Sequence, residues 1–342
     1  MLDILGDLAR ADACQEALDI GGCDTGQLKR QLRDMLLIRS AEEKIGDMVT
    51  AGTIKCPAHL GIGQEAVAVG VSAHLRKTDR VFGSHRSHSH YLALGGSLDG
   101  IFAEVLGKVT GCSRGMGGSM HLFDQPNGFY GSVPIVAGTI PLAVGAGLAA
   151  KLDGNGDVGV CYFGDGATDE GVVHESLNLA SVYALPVLFV AENNIFSSHL
   201  HISLRQSANS VARFAQAHGV ASEVVDGNDV VAVDKSTARL LERARAGEGP
   251  GFLEAVTYRW RGHVGASEDT DVGVNRSIDL GMWKKRDPVR RLFDALHAAG
   301  AMTDRDLEEI LQSLRMEIEA AWQRAVQADY PPASALLDCV YA

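Results

Sequence analysis

The chain has 342 residues, of which 43 are acidic and 31 basic, for a formal net charge of −12. That balance excludes a nucleic-acid-binding surface and argues against residence on anionic lipid. With 46 % apolar residues and this length, one large or two medium domains can form around a sizeable core, without disulfides or a structural metal.

Residues 1–26 read as a loosely attached N-terminal arm ending at Gly26, too acidic for a transit peptide and lacking the apolar run of a secretory signal. Leu28, Leu32, Met35, Leu36, Ile45, Met48 and Val49 then keep helical spacing. A second helix is predicted over 65–75 and a short strand at Val81-Phe82, followed by a His- and Ser-rich loop over 83–96 that enters a helix. Further on, strands are predicted at 158–163, 185–190 and 252–257, with a helix over 170–183. Thr303 with Asp306 resembles a capping box, and Leu307, Ile310, Leu314, Ile318 and Trp322 continue a helix before Pro331-Pro332. Alternating strands and helices imply an α/β fold, a parallel sheet flanked by helices on both faces. The expected organisation is the arm (1–26), an α/β domain (27–287) and a C-terminal helical extension (288–342). No stretch reaches the roughly 20 apolar residues of a bilayer span. Cys14, Cys23, Cys56, Cys112, Cys161 and Cys339 are scattered without a CxxC, as idle thiols in a reducing compartment would be, so the cytoplasm is the expected location.

The most informative segment is Gly164-Asp165-Gly166, which follows one predicted strand, with Asn193-Asn194 following the next. Ligands bind at strand carboxyl ends in open α/β sheets. One strand-helix-strand excursion separates the two motifs, so Asp165 and Asn194 can meet on one sheet edge. A carboxylate and an amide oxygen are hard donors suited to magnesium or calcium. Gly166 and the following amides, beginning with Ala167, can approach a phosphate at a helix start. The pieces suggest a metal-bridged diphosphate site; a surface turn and an unrelated Asn pair is the plainer alternative. His85, His88 and His90 alternate, so an extended segment would turn them to one side, which also reads as a zinc site. His199 and His201 read as loop residues, and His121 as structural. Gly145 to Ala150 fits GxGxxA, but Gly138, Ala143 and Gly147 are better explained by close helix packing, including packing between subunits.

GDGATDEGVVHESLNLA followed by ALPVLFVAENNIF resembles the thiamin-diphosphate signature, GDG and then NN. With HLGIGQEA (59–66), SHRSH (84–88), RGMGGSMH (114–121), FYGSVPIVAGTIPLAVG (129–145), VDGND (225–229) and YRWRGH (258–263), the chain resembles the alpha subunit of the first component of 2-oxo acid dehydrogenase complexes. That group includes pyruvate, branched-chain 2-oxo acid and acetoin dehydrogenases. The resemblance implies thiamin diphosphate and Mg2+ as cofactors. Asp165, Asn194 and the backbone carbonyl of Phe196 would ligate the metal. His85, standing where the family has Tyr, and Arg86 would grip the diphosphate, beside Gly164, Gly166 and Ala167. Ile135 and Val136 would hold the aminopyrimidine, after a Pro134 that cannot donate an N–H. His88 and His263 match the family's catalytic histidines.

The same resemblance implies decarboxylation of a 2-oxo acid, or cleavage of acetoin, with acyl transfer to lipoyl on an acyltransferase partner. A beta subunit would bring the activating Glu, giving an α2β2 heterotetramer and no activity alone. No nucleic acid or membrane partner is expected. Val264 stands where mitochondrial pyruvate enzymes carry a regulatory Ser, so phosphorylation there is not expected. The loop after His263 lacks the Asp-Pro usual in pyruvate and branched-chain enzymes, which weakens both assignments and leaves acetoin or an unusual 2-oxo acid open as substrate. A split transketolase- or synthase-like subunit without lipoyl transfer is the alternative, with a non-catalytic cofactor-binding partner behind it.

Overall fold

A computed structural model describes residues 1–269 and 276–338. Cys339 and residues 270–275 of the loop beyond His263 lie outside the described residues. Among the described residues eight strands occur: β1 (Arg80–Gly83), β2 (Phe129–Ser132), β3 (Gly159–Gly164), β4 (Val187–Asn193), β5 (Phe196–Ser197), β6 (Leu200–His201), β7 (Ala221–Asp226) and β8 (Gly251–Val256). Six form one sheet in the order β2-β1-β3-β4-β8-β7, every pairing parallel, while β5 and β6 make a small antiparallel hairpin.

Alternation along the strands builds two cores. In β4, Leu188 and Val190 enter one core, and Val187, Phe189 and Ala191 the other; in β3, Val160 and Tyr162 oppose Cys161 and Phe163. Successive side chains leave opposite faces of a strand, and a parallel sheet is covered on both. The first core is closed by α1 (Thr25–Thr50), α2 (Glu65–Ser72), α3 (His88–Ala93), α4 (Leu98–Val105), α8 (Val230–Arg245), α10 (Pro288–Ala298) and α11 (Asp304–Gln327). The second is closed by α5 (Ile140–Asp153), α6 (Gly171–Val182), α7 (Ala212–Ala217) and α9 (Ser277–Trp283). Among the described residues, no helix is long and apolar enough to cross a membrane.

Local chemistry sets the helix ends. The Asp24 carboxylate accepts from the Gly26 N–H and starts α1, and the Thr303–Asp306 capping box opens α11 as its sequence predicts. Gly147 brings α5 onto the sheet: a Cβ there would collide with Val187 and lie 3.1 Å from the Pro186 carbonyl. The small residue thus serves helix-on-sheet packing inside the chain rather than packing between subunits.

Two expectations change. The N-terminal arm is pinned, not loose. Leu2 bridges to Ala208, Asn209 Oδ1 accepts from the Ile4 N–H at 2.7 Å, and Arg286 donates to the carbonyls of Leu8 and Arg10 at 2.9 Å. Those anchors lie some 200 to 280 positions away in the chain, so no local pattern announces them. The GDG motif does not enter α6 directly; a 3-10 turn over Asp165–Asp169 intervenes.

The parallel strands end on one edge. β1 delivers 84–86 there, β3 delivers 165–167, β4 delivers 194–198 and β8 delivers 259–263.

Candidate active site

A cavity of about 170 Å³ opens at that edge. Its wall takes Ser84, His85 and Arg86 from beyond β1, and Phe163, Gly164, Gly166 and Ala167 around the end of β3. It takes Glu192, Asn194, Phe196, Ser197 and Ser198 from β4 and the hairpin, and Arg259 and His263 from beyond β8. Val136 and Ala137 complete it, whereas Ile135 is 70 % exposed and outside the wall. Of the residues expected in the site, the wall therefore unites all except Asp165, Ile135 and His88.

Asp165 lies fully buried beside the wall. Its Oδ1 and the Oδ1 of Asn194 are both buried without a hydrogen-bond partner. Asp165 Oδ2 is held by the Arg205 guanidinium, which also reaches Asp169 Oδ2 at 3.0 Å. Asn194 Nδ2 donates to Gln64 Oε1 at 3.3 Å, which leaves the amide oxygen free. The paired asparagines divide the work. Asn193 is scaffold: its Nδ2 donates to Glu254 Oε1 at 2.7 Å and its Oδ1 accepts from the Ile195 N–H at 3.1 Å. Gly166 lets the hairpin come close, since a Cβ there would fall 2.5 Å from Ser197 Oγ. Two orphaned hard oxygens suit a hard divalent cation. The Phe196 ring packs edge-on against Tyr258 and His201, so only its backbone carbonyl is available to such an ion.

Two guanidiniums face the same space. Arg86 donates to the carbonyls of Leu60 (2.6 Å) and His263 (3.1 Å), and Arg259 to the carbonyl of Ser198 (2.8 Å), with Arg259 Nη1 unpartnered. Among the described residues neither makes an ion pair. Burial pushes Arg86 down to about 10. Burial, reinforced by Arg86 and Arg276, also holds Arg259 well below the usual range. Glu42, Glu192 and Asp269 oppose these shifts only from a distance; a buried charge without a contact partner is costly, and two planar forks suit a phosphate-type anion.

The histidines take separate roles because 88–93 is helical rather than extended. His85 stands in the cavity wall. Buried His88 turns away from it, with Nδ1 3.2 Å from Glu42 Oε1 and Nε2 2.8 Å from Ser119 Oγ. Ser119 Oγ also meets the His59 N–H at 3.4 Å. The geometry thus corrects the catalytic expectation for His88: it positions the His59 loop and does not reach the cavity. His90 stacks on Tyr162 with centroids 3.8 Å apart, and its ring nitrogens meet Glu192 Oε1 (3.3 Å) and Ser87 Oγ (3.2 Å). A zinc site from His85, His88 and His90 is therefore excluded. His199 meets Asp269 Oδ2 at 3.1 Å, His201 caps the turn at Ser203, and exposed His121 lies 3.2 Å from the Gly117 carbonyl.

His59, His85 and His263 instead form an edge-to-face cluster. Burial first and Arg86 second lower all three, to about 3, 2 and 4 respectively. The rings are neutral at physiological pH. His263 is held through its N–H, which donates to Asp269 Oδ2 at 2.6 Å. His59, Arg259, Glu192 and Arg205 were not singled out from the sequence. His59 and Arg259 stood inside the HLGIGQEA and YRWRGH motifs; for Arg205, eleven residues beyond Asn194, no local signal exists.

A family model described as the dehydrogenase E1 component matches residues 33–334. The alpha subunit of acetoin:2,6-dichlorophenolindophenol oxidoreductase from Bacillus subtilis (strain 168) is 39 % identical over 90 % of this chain and 91 % of its own. The alpha subunits of pyruvate dehydrogenase E1 from Rhizobium meliloti (strain 1021) and Porphyra purpurea are 38 % and 36 % identical. They cover 88 % and 90 % of this chain, and 85 % and 91 % of their own lengths. The chain belongs to the dehydrogenase E1 component family, and is a thiamin-diphosphate-dependent oxidoreductase of the 2-oxo acid dehydrogenase type.

Proposed function

We propose that this chain is the diphosphate-binding half of an α2β2 enzyme that decarboxylates pyruvate or a similar small 2-oxo acid, or cleaves acetoin. The observation that carries the reading is the pairing of two buried guanidiniums without an ion pair, Arg86 and Arg259, with the orphaned oxygens of Asp165 and Asn194. A magnesium diphosphate satisfies both at once.

Asp165, Asn194 and the Phe196 carbonyl would hold Mg2+. Arg86 and Arg259 would neutralise the diphosphate, with His85 as a neutral N–H donor in place of Tyr. Gly164, Gly166 and Ala167 would let the backbone approach it, and Val136, in the cavity wall, would lie against the ring system. When bound, thiamin diphosphate supplies the electron sink for breaking a bond beside a carbonyl carbon. The chain's own residues anchor, orient and exclude water. His263 can donate a neutral N–H to the oxygen that gains charge, because Arg86 and burial keep its imidazole from protonating.

The named relatives are alpha subunits, which supports a beta subunit as partner, bringing the activating Glu. A lipoyl acyltransferase is the acyl acceptor, and the cytoplasm the compartment. The substrates in the relatives' names, acetoin and pyruvate, are the first two to assay. The test is co-expression with the beta subunit, followed by dye reduction with each substrate in thiamin diphosphate and Mg2+. Turnover that is lost in Asp165→Ala, with calorimetric loss of cofactor binding, is expected. Full turnover by the isolated chain, or carbon–carbon bond formation without dye reduction, sinks the reading.

A further inference from the structure

Buried imidazoles normally have hydrogen-bond partners. His88 and His90 obey that rule, each with two. Buried His59 does not, and beside it stand His85 and His263, half-buried in the cavity wall; among the described residues none of the three makes a ring hydrogen bond. His59 is only 8 % exposed, and its Nδ1 is buried and unpartnered. The three come from separate segments, before α2, after β1 and after β8. Their centroids lie 4.7, 5.1 and 5.5 Å apart, and one nitrogen from each lies within 4.8 Å of the others.

We infer that His59, His85 and His263 form a three-imidazole site for a borderline divalent transition-metal ion, of which Zn2+ is the type, distinct from the oxygen site at Asp165 and Asn194. Around tetrahedral zinc the nitrogens sit about 3.4 Å apart, so the rings need to close by up to roughly 1.4 Å. Two of the rings are only half-buried and can swing. Unprotonated imidazole is the form that ligates, and it is the form these rings hold. The two sites divide by donor type: imidazole selects zinc-like ions, carboxylate and amide oxygens select magnesium. His85 and His263 line the cavity, so a fourth ligand would come from that side. Arg86 and Arg259 stand nearby, so an anionic oxygen there, from hydroxide, phosphate or carboxylate, offsets the accumulated positive charge. An ion in this place takes up His85 and His263, so it competes with the diphosphate and substrate contacts proposed for them.

The inference rests on the cluster's geometry, and its failure leaves the proposed activity standing. The experiment titrates Co2+ into the metal-stripped full chain in excess Mg2+, which fills the oxygen site. Tetrahedral cobalt absorbs strongly in the visible, whereas octahedral, oxygen-bound cobalt absorbs weakly. One Co2+ per chain with the strong band, displaced by Zn2+, is expected. His85→Tyr and His263→Ala should each weaken it by about tenfold or more, with circular dichroism verifying the fold, while His121→Ala leaves it unchanged. Absence of the strong band overturns the inference, as does a band that survives in both cluster variants or is lost equally in His121→Ala.

Discussion

Arg86 and Arg259 are buried with no carboxylate in contact, Glu42, Glu192 and Asp269 acting on them only from a distance, so the site is arranged for an anion before any anion arrives. A charge-assisted hydrogen bond is worth about 1.5–3 kcal/mol. Arg86→Ala should therefore raise the thiamin diphosphate Kd by about 10- to 100-fold in calorimetry; an unchanged Kd would remove Arg86 from the diphosphate site. The histidine cluster has a linked signature in stability. The unfolded chain binds protons on these rings from about pH 6.5 downward, while the folded chain refuses them until about pH 4 or lower. Arg86 and Arg259 disfavour protonation, and Asp269 alone opposes them at His263. The unfolded state binds more protons over that window, so stability rises with pH there. Urea midpoints should fall between pH 7 and pH 5, and His85→Tyr should flatten part of that slope.

At the scale of elements, the glycine-rich stretch 114–121 shows how a loop is made rigid. Buried Glu104 on α4 accepts four backbone N–H groups: Ser113 (2.7 Å) and Gly115 (3.0 Å) on one oxygen, Gly117 (2.7 Å) and Gly118 (3.1 Å) on the other. The loop thus held presents Ser119 to His88 and to the His59 backbone. Glu104→Gln turns an NH2 toward two donors, and leaving them unsatisfied should cost roughly 2–3 kcal/mol, read as a lower urea midpoint at unchanged slope. Its effect on cofactor affinity should be smaller than that of Arg86→Ala, because Glu104 reaches the cavity only through Ser119.

This element also marks the limit of legibility. Asp165 and Asn194 were readable because each directly follows its strand, and the strand end fixes where they go. Glu104 and its loop are nearly as close in sequence, but nothing in an apolar helix announces that one acid will gather four amides. His85, His88 and His90 misled for a local reason: a two-residue period turns only His88 and His90 to one side and His85 to the other, and here the backbone coils at His88. The cluster that does form joins positions 59, 85 and 263, and only the meeting of three loops creates it.

For the whole molecule the informative element is α5, which is apolar on both faces. Ala143, Val144, Ala146 and Ala150 face the core, while Leu142, Leu148 and Leu152 stand exposed on the outside, the last at 79 %. A helix apolar all round belongs in an interior, and α5 starts at the cavity rim, where Ile135 is also bare. Leu179 and Val182 extend the surface on the neighbouring α6. A partner chain covering this face accounts for an otherwise unfavourable exposure and places that partner beside a cavity that needs one. Gly145 offers the discriminating variant. It lies on the outer face, and a Cβ there meets nothing within 4 Å. Gly145→Leu should stabilise the lone chain by about 0.5–1 kcal/mol through helix propensity. In the assembly the same side chain intrudes on the covered face. The expected result is a chain that melts higher alone, no longer co-purifies with the beta subunit, and gives no turnover. If Gly145→Leu assembles and turns over normally, this face of α5 is not where the subunits meet, and the exposed leucines require another occupant.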